Sequence, residues 1–146
     1  MVVKKTDEQK CGSELSSFIH ERPITDLSTR LVTERASIAI LVKDNTIGNG
    51  NREWGESLLI NFFQTLAQRE PLPQYIIFMN QGVFLSCEGS KVLGYLIEME
   101  QNGVQILNSD SCLMHYKMKQ KVCAGEISTM YNILDKLALV EKILTI

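Results

Sequence analysis

In the stretch Ser109-Asp110-Ser111-Cys112-Leu113-Met114-His115 a thiol and an imidazole stand three positions apart. On a helix that spacing puts both side chains on one face, where the imidazole accepts the thiol proton and leaves a thiolate, the nucleophilic form of sulfur. The segment follows a predicted strand, so Cys112 also falls near the start of a helix, whose unpaired N–H groups and dipole favour negative charge. The opposing reading is that a free cysteine packs as a small buried hydrophobe. For Cys112 both readings stand open. For Cys87 and Cys123 packing is preferred, with Cys87 the substitute nucleophile should Cys112 prove inert.

Other chemistry is less well supported. The four cysteines, Cys11, Cys87, Cys112 and Cys123, form no C-x-x-C pair, and Cys112 with His115 is the one compact Cys/His pair, so no metal site is expected. Gly48-Asn49-Gly50 lacks the third glycine of a dinucleotide fingerprint and reads as a turn; neither nicotinamide nor flavin is expected, and no cofactor is assigned. Glu88-Gly89 and Gly125-Glu126 place carboxylates where paired acids can move protons, but charge at the first turn of a helix explains them better. Trp54 and Tyr131 read as core or subunit-contact aromatics.

The elements that must position these residues follow from hydrophobic periodicity. Ile38-Ala39-Ile40-Leu41-Val42 is a short, continuous β-branched and aliphatic run, as expected of a strand buried on both faces. A turn-forming segment leads into Leu58, Leu59, Phe62, Phe63 and Leu66 at helical spacing, stopped by Pro71 and Pro73. Tyr75 to Met79 reads as a second strand, Val92 to Glu100 as a helix ending near Gly103, and Val104 to Leu107 as a third strand. Ser111 to Lys117 is expected as a short helix and Lys121 to Cys123 as a short fourth strand. Ser128 is expected to cap a last helix, and Ile143 to Ile146 to close the chain as a strand.

Alternating strands and helices favour parallel pairing, because a right-handed crossover needs about a dozen residues and a helix supplies them. The expected architecture is α/β: a three-layer sandwich with a mostly parallel sheet of about five strands flanked by helices. In such sheets reactive groups gather outside the carboxyl ends of the strands. The predicted order places Cys87 after strand two, Cys112 after strand three and Cys123 at the end of strand four, along that edge. Residues 1–36 mix charged and polar types with sparse apolar positions and read as an extension, partly flexible, in which Leu15, Phe18 and Ile19 have the spacing of one helical turn; residues 37–146 read as the domain.

Composition excludes several partners. A formal net charge of -2 and a pI near 5.7 offer no field for sequence-independent capture of phosphates, so nucleic acid is not expected. The N-terminus shows no apolar leader and no run approaches the ~20 apolar residues that span a bilayer, so a cytoplasmic location without membrane contact is expected. In that compartment the cysteines read as free thiols.

Phe78-Met79-Asn80-Gln81-Gly82-Val83, Glu88-Gly89-Ser90, Gly103-Val104-Gln105-Ile106-Leu107 and Gly125-Glu126-Ile127-Ser128-Thr129-Met130-Tyr131 occur in this order, and together they resemble the YedF-type domain of the DsrE-like family. The resemblance covers roughly residues 38–146. It implies a DsrE-like fold, homo-oligomeric assembly, and a sulfurtransferase-like role in sulfur relay, in a group associated with selenium metabolism. It also implies a sulfur donor or acceptor protein as partner and a persulfide-carrying cysteine after the third strand. Relatives often show Cys-Gly-x-Cys there; this chain reads Ser109-Asp110-Ser111-Cys112, keeping only the second cysteine. A serine hydroxyl cannot hold sulfane sulfur, so the role falls to Cys112. The alternative is a non-catalytic oligomeric binding module that has lost relay activity.

Overall fold

The computed structural model describes residues 35–146, and within them the first apolar run forms β1 (Ala36–Val42). The loop that follows contains Gly48 at φ 82°, a left-handed turn position open to glycine. Helix α1 (Arg52–Gln68) then begins where the Asn51 carboxamide oxygen accepts the Trp54 N–H at 2.9 Å, satisfying one orphan donor of the first turn. It ends short of Pro71.

Strand β2 (Pro73–Phe78) runs into a 3-10 segment, Asn80–Ser86, before α2 (Leu93–Gln101). Gly103, at φ 93°, closes α2: its N–H bonds Glu100 O at 2.9 Å and the Val104 N–H bonds Met99 O at 3.0 Å, the paired bonds of a Schellman turn. Strand β3 (Gln105–Ser109) leads directly into the short helix α3 (Asp110–His115). A 3-10 turn, β4 (Glu126–Ser128), α4 (Met130–Leu139) and β5 (Lys142–Thr145) complete the chain.

The five strands lie in the order β4-β3-β2-β1-β5, and every neighbouring pair is parallel. Strand periodicity of two then sorts the side chains. Ile40, Val42, Ile76, Phe78 and Ile106 face α1 and α2, packing with Leu59, Phe63, Leu96 and Met99. Ala39, Tyr75, Ile77 and Leu107 face the opposite way onto Ile133 and Leu137 of α4. The result is the α/β sandwich expected, with α1 and α2 on one face, where Leu113 of α3 joins the same cluster, and α4 on the other.

Three local expectations are corrected. The Val122-Cys123 run does not form the fourth strand: Val122 makes an isolated antiparallel bridge to Cys87, and the ladder strand is Glu126–Ser128, three residues long. Cys123 therefore precedes β4 instead of ending it, and it is disulfide-bonded rather than a free thiol. The cap of α4 is Thr129, whose hydroxyl accepts the Asn132 N–H at 3.3 Å, one residue beyond Ser128. The extension assigned to residues 1–36, with its helical turn at Leu15, Phe18 and Ile19, lies outside the described residues except for Arg35 and Ala36, the latter opening β1.

Candidate active site

The chain leaves β2 and β3 at the same edge of the sheet, and the two exits meet. After β2, Asn80 adopts the left-handed conformation at φ 48°, which asparagine tolerates better than most residues. Its position is set from below: the Met79 N–H bonds Val42 O at 2.9 Å, and the Gly82 N–H bonds Met79 O at 2.9 Å. The Asn80 N–H points across to α3 and donates to Cys112 Sγ at 3.2 Å.

Cys112 lies in the first turn of α3 and is partly buried, packed against the main core cluster. A backbone N–H stabilises anionic sulfur more than neutral sulfur, because a donor interacts more strongly with a full charge. The second exit contributes Tyr116, just past α3, whose hydroxyl donates to Asn80 Oδ1 at 2.6 Å. The Tyr116 ring rests against Phe84, centroids 4.9 Å apart. Asn80 is thus tied to α3 through both its backbone and its side chain.

His115 is not brought onto Cys112. No hydrogen bond joins the two; the imidazole is exposed and meets the Tyr116 ring edge-on, centroids 4.8 Å apart. Helix α3 holds six residues, and the backbone N–H that reaches the sulfur comes from another element. Beside it, Lys119 Nζ lies 2.7 Å from Asp110 Oδ1; that oxygen has no aligned hydrogen-bond donor, so the contact is an ion pair by charge more than by directed bonding.

Cys87 sits elsewhere and in a different environment. It is 0% exposed within the core between the 3-10 segment and α2, with its S–H donating to Val83 O at 3.1 Å. Burial pushes its thiol up to about 11, against weaker lowering by the Ser86 hydrogen bond and the Lys121 charge. These surroundings favour the neutral, unreactive form. Ser109 is also buried, its hydroxyl 3.3 Å from that of Ser111.

The two carboxylates considered as a proton-transfer pair are not assembled. Glu126 opens β4 and accepts from Gln105 Nε2 at 3.2 Å, at the amino end of the sheet, whereas Glu88 lines a cleft of about 380 Å³ with Arg52, Glu56, Phe84 and Met118. Cys112 does not line that cleft, although Phe84 is shared between it and Tyr116. Trp54 and Tyr131 are 65% and 75% exposed, which removes the core reading for both.

Sequence reasoning did not assign roles to Asn80 and Tyr116. The one local signal was an asparagine just past a strand and two residues before a glycine, a composition that marks left-handed backbone.

The fold is shared with solved structures. The crystal structure of the ychN protein from E. coli matches with a TM-score of 0.56 and 16% identity, covering 77% of this chain and 100% of that one. The structure of BT1422 from Bacteroides thetaiotaomicron, a conserved protein of unknown function, matches with a TM-score of 0.54 and 18% identity, covering 75% of this chain and 95% of that one. The fold is common to all three. No family model matches the chain, and no curated protein matches it. Among the described residues no helix is long and apolar enough to cross a membrane, and no group of His, Cys, Asp and Glu side chains is arranged to hold a metal ion.

Proposed function

We propose that this protein is a sulfur carrier of the sulfurtransferase type, in sulfur or selenium metabolism, and that Cys112 accepts sulfane sulfur. The observation that carries the reading is the 3.2 Å contact from the Asn80 N–H to the sulfur of the partly buried Cys112 at the carboxyl edge of the sheet. The motif resemblance of residues 38–146 to the DsrE-like family supports it, and the fold is like that of ychN.

The step needs no cofactor. The Cys112 thiolate attacks the outer sulfur of a donor persulfide, R–S–SH; a new S–S bond forms at Cys112, the donor S–S bond breaks, and the electron pair leaves on R–S⁻. Cys112 becomes Cys112–S–SH and the total oxidation level of sulfur is unchanged. Passing the sulfur on reverses the roles and returns a Cys112 thiolate. The Asn80 N–H stabilises the anion at both ends of the cycle. Intact mass after treatment with a polysulfide donor tests it: the wild-type chain gains sulfur and Cys112→Ser gains none at that position, whereas equal loading of the two proteins would refute the assignment.

A second reading is supported by a separate feature. Met130, Tyr131 and Leu134 of α4 present large apolar side chains to solvent, as does Ile143 of β5, which shares the α4 face of the sheet with its ladder partner Ala39. Exposed apolar side chains on one face mark association sites. On this reading the protein is a homo-oligomeric binding module in which the cysteines are dispensable, and a cysteine-free variant retains its partner. Homo-oligomerisation belongs to both readings; sulfur loading belongs only to the first.

A further inference from the structure

Tyr116 has a hydroxyl whose 2.6 Å bond to Asn80 Oδ1 exceeds what packing against Phe84 requires. Asn80 is a non-glycine residue at φ 48°, a conformation with a steric cost that surrounding contacts must offset. The backbone N–H of the same residue donates to the Cys112 sulfur at 3.2 Å. We infer that Tyr116 is a positioning residue for Cys112: its hydroxyl holds Asn80 left-handed, and so keeps a backbone donor on the reactive sulfur.

This inference rests on the sulfur-carrier reading for its purpose, but its geometry stands apart from any sulfur donor. The chain of contacts runs from the Tyr116 hydroxyl to the Asn80 carboxamide, through the Asn80 backbone, to Cys112. It joins positions 36 and 32 residues apart in sequence. The two ends lie on different strand exits, so the donor is present only when both loops are seated.

Glycine separates this role from simple packing. Gly populates positive φ without the Cβ penalty, so Asn80→Gly keeps the N–H in place with no help from Tyr116. The test is the rate at which iodoacetamide modifies Cys112 in the full native chain, read by peptide mass, in four proteins: wild type, Tyr116→Phe, Asn80→Gly and the double variant. Tyr116→Phe keeps the ring on Phe84 and is expected to slow Cys112 alkylation roughly five-fold, the factor for one lost hydrogen bond. Asn80→Gly is expected to react near the wild-type rate, and the double variant to match Asn80→Gly.

A wild-type rate for Tyr116→Phe overturns the inference, and so does equal slowing by Tyr116→Phe in both backgrounds. A merely structural Tyr116 would lower the melting temperature in both backgrounds with no rescue by glycine. Because alkylation needs no persulfide, failed sulfur loading with intact glycine rescue would reject the carrier reading and leave the positioning role standing.

Discussion

The backbone N–H of Asn80 donates to the sulfur of Cys112 across 3.2 Å, joining the exit of β2 to the first turn of α3. Cys87, a thiol of the same chain, is instead sealed in the core.

Cys87 should make stability depend on pH. Its folded-state ionisation is raised from 9.0 to about 11 by burial, so the unfolded chain loses this proton first as pH rises. The unfolded state then binds fewer protons, and the contribution of this group is complete below about pH 9 and lost between about 9 and 11, amounting to at most about 3 kcal/mol. Denaturation midpoints measured across that window should fall more steeply for wild type than for Cys87→Ala. Parallel curves would contradict the assignment.

Asn108 is expected to be among the costliest polar residues to remove. It is 0% exposed; its carboxamide nitrogen donates to Ala124 O at 2.9 Å and Glu126 O at 3.3 Å, while its oxygen accepts from the Ser86 hydroxyl. Asn108→Ala strands these partners inside the protein and should cost about 2–4 kcal/mol in denaturant titration with an unchanged m-value. Asn108→Asp should cost more, because it also buries a charge.

Gly82 is required by space. A Cβ there would overlap the Val42 carbonyl, which already accepts the Met79 N–H at 2.9 Å. Gly82→Ala should therefore destabilise by about 1–3 kcal/mol and, by shifting the segment that starts at Asn80, slow Cys112 alkylation as well. Loss of stability with an unchanged alkylation rate would separate Gly82 from the site.

Self-association should run through α4 and β5. Tyr131→Lys combined with Leu134→Glu places charge on exposed positions and leaves the buried Ile133 in place. Sedimentation velocity should show wild type as an oligomer and the double variant as a monomer with an unaltered far-UV spectrum. An oligomer of the same size in both would move the interface elsewhere.

Much of the fold was legible because its signals are local. The runs at Ile38–Val42 and Tyr75–Met79 and the helical spacing of Leu58, Leu59, Phe62, Phe63 and Leu66 are each read within a few residues, and Leu59 and Phe63 of that helix are buried. Strand β4 was misplaced for a physical reason: Val122 and Cys123 are apolar because Val122 bridges back to Cys87, while the true ladder strand has two exposed residues out of three. The exposed tail of the sheet has no hydrophobic signature to read.

The site was half legible. Cys112 stood out by residue type and by its place after β3, and the structure keeps it at the carboxyl edge of the sheet. Its neighbour was misjudged, because helical spacing brings His115 to the same helix but the short α3 leaves it exposed against Tyr116. Asn80 could not be found by spacing at all; a donor 32 positions away becomes a neighbour only once β2 and β3 pair.

The most direct measurement is site-resolved: the native full-length protein is exposed to a polysulfide donor, trapped with an alkylating reagent, digested, and its cysteine peptides weighed. The account predicts one added sulfur on the Cys112 peptide and none on the Cys87 peptide. Added sulfur on Cys87 with an unmodified Cys112, or on neither, would contradict it.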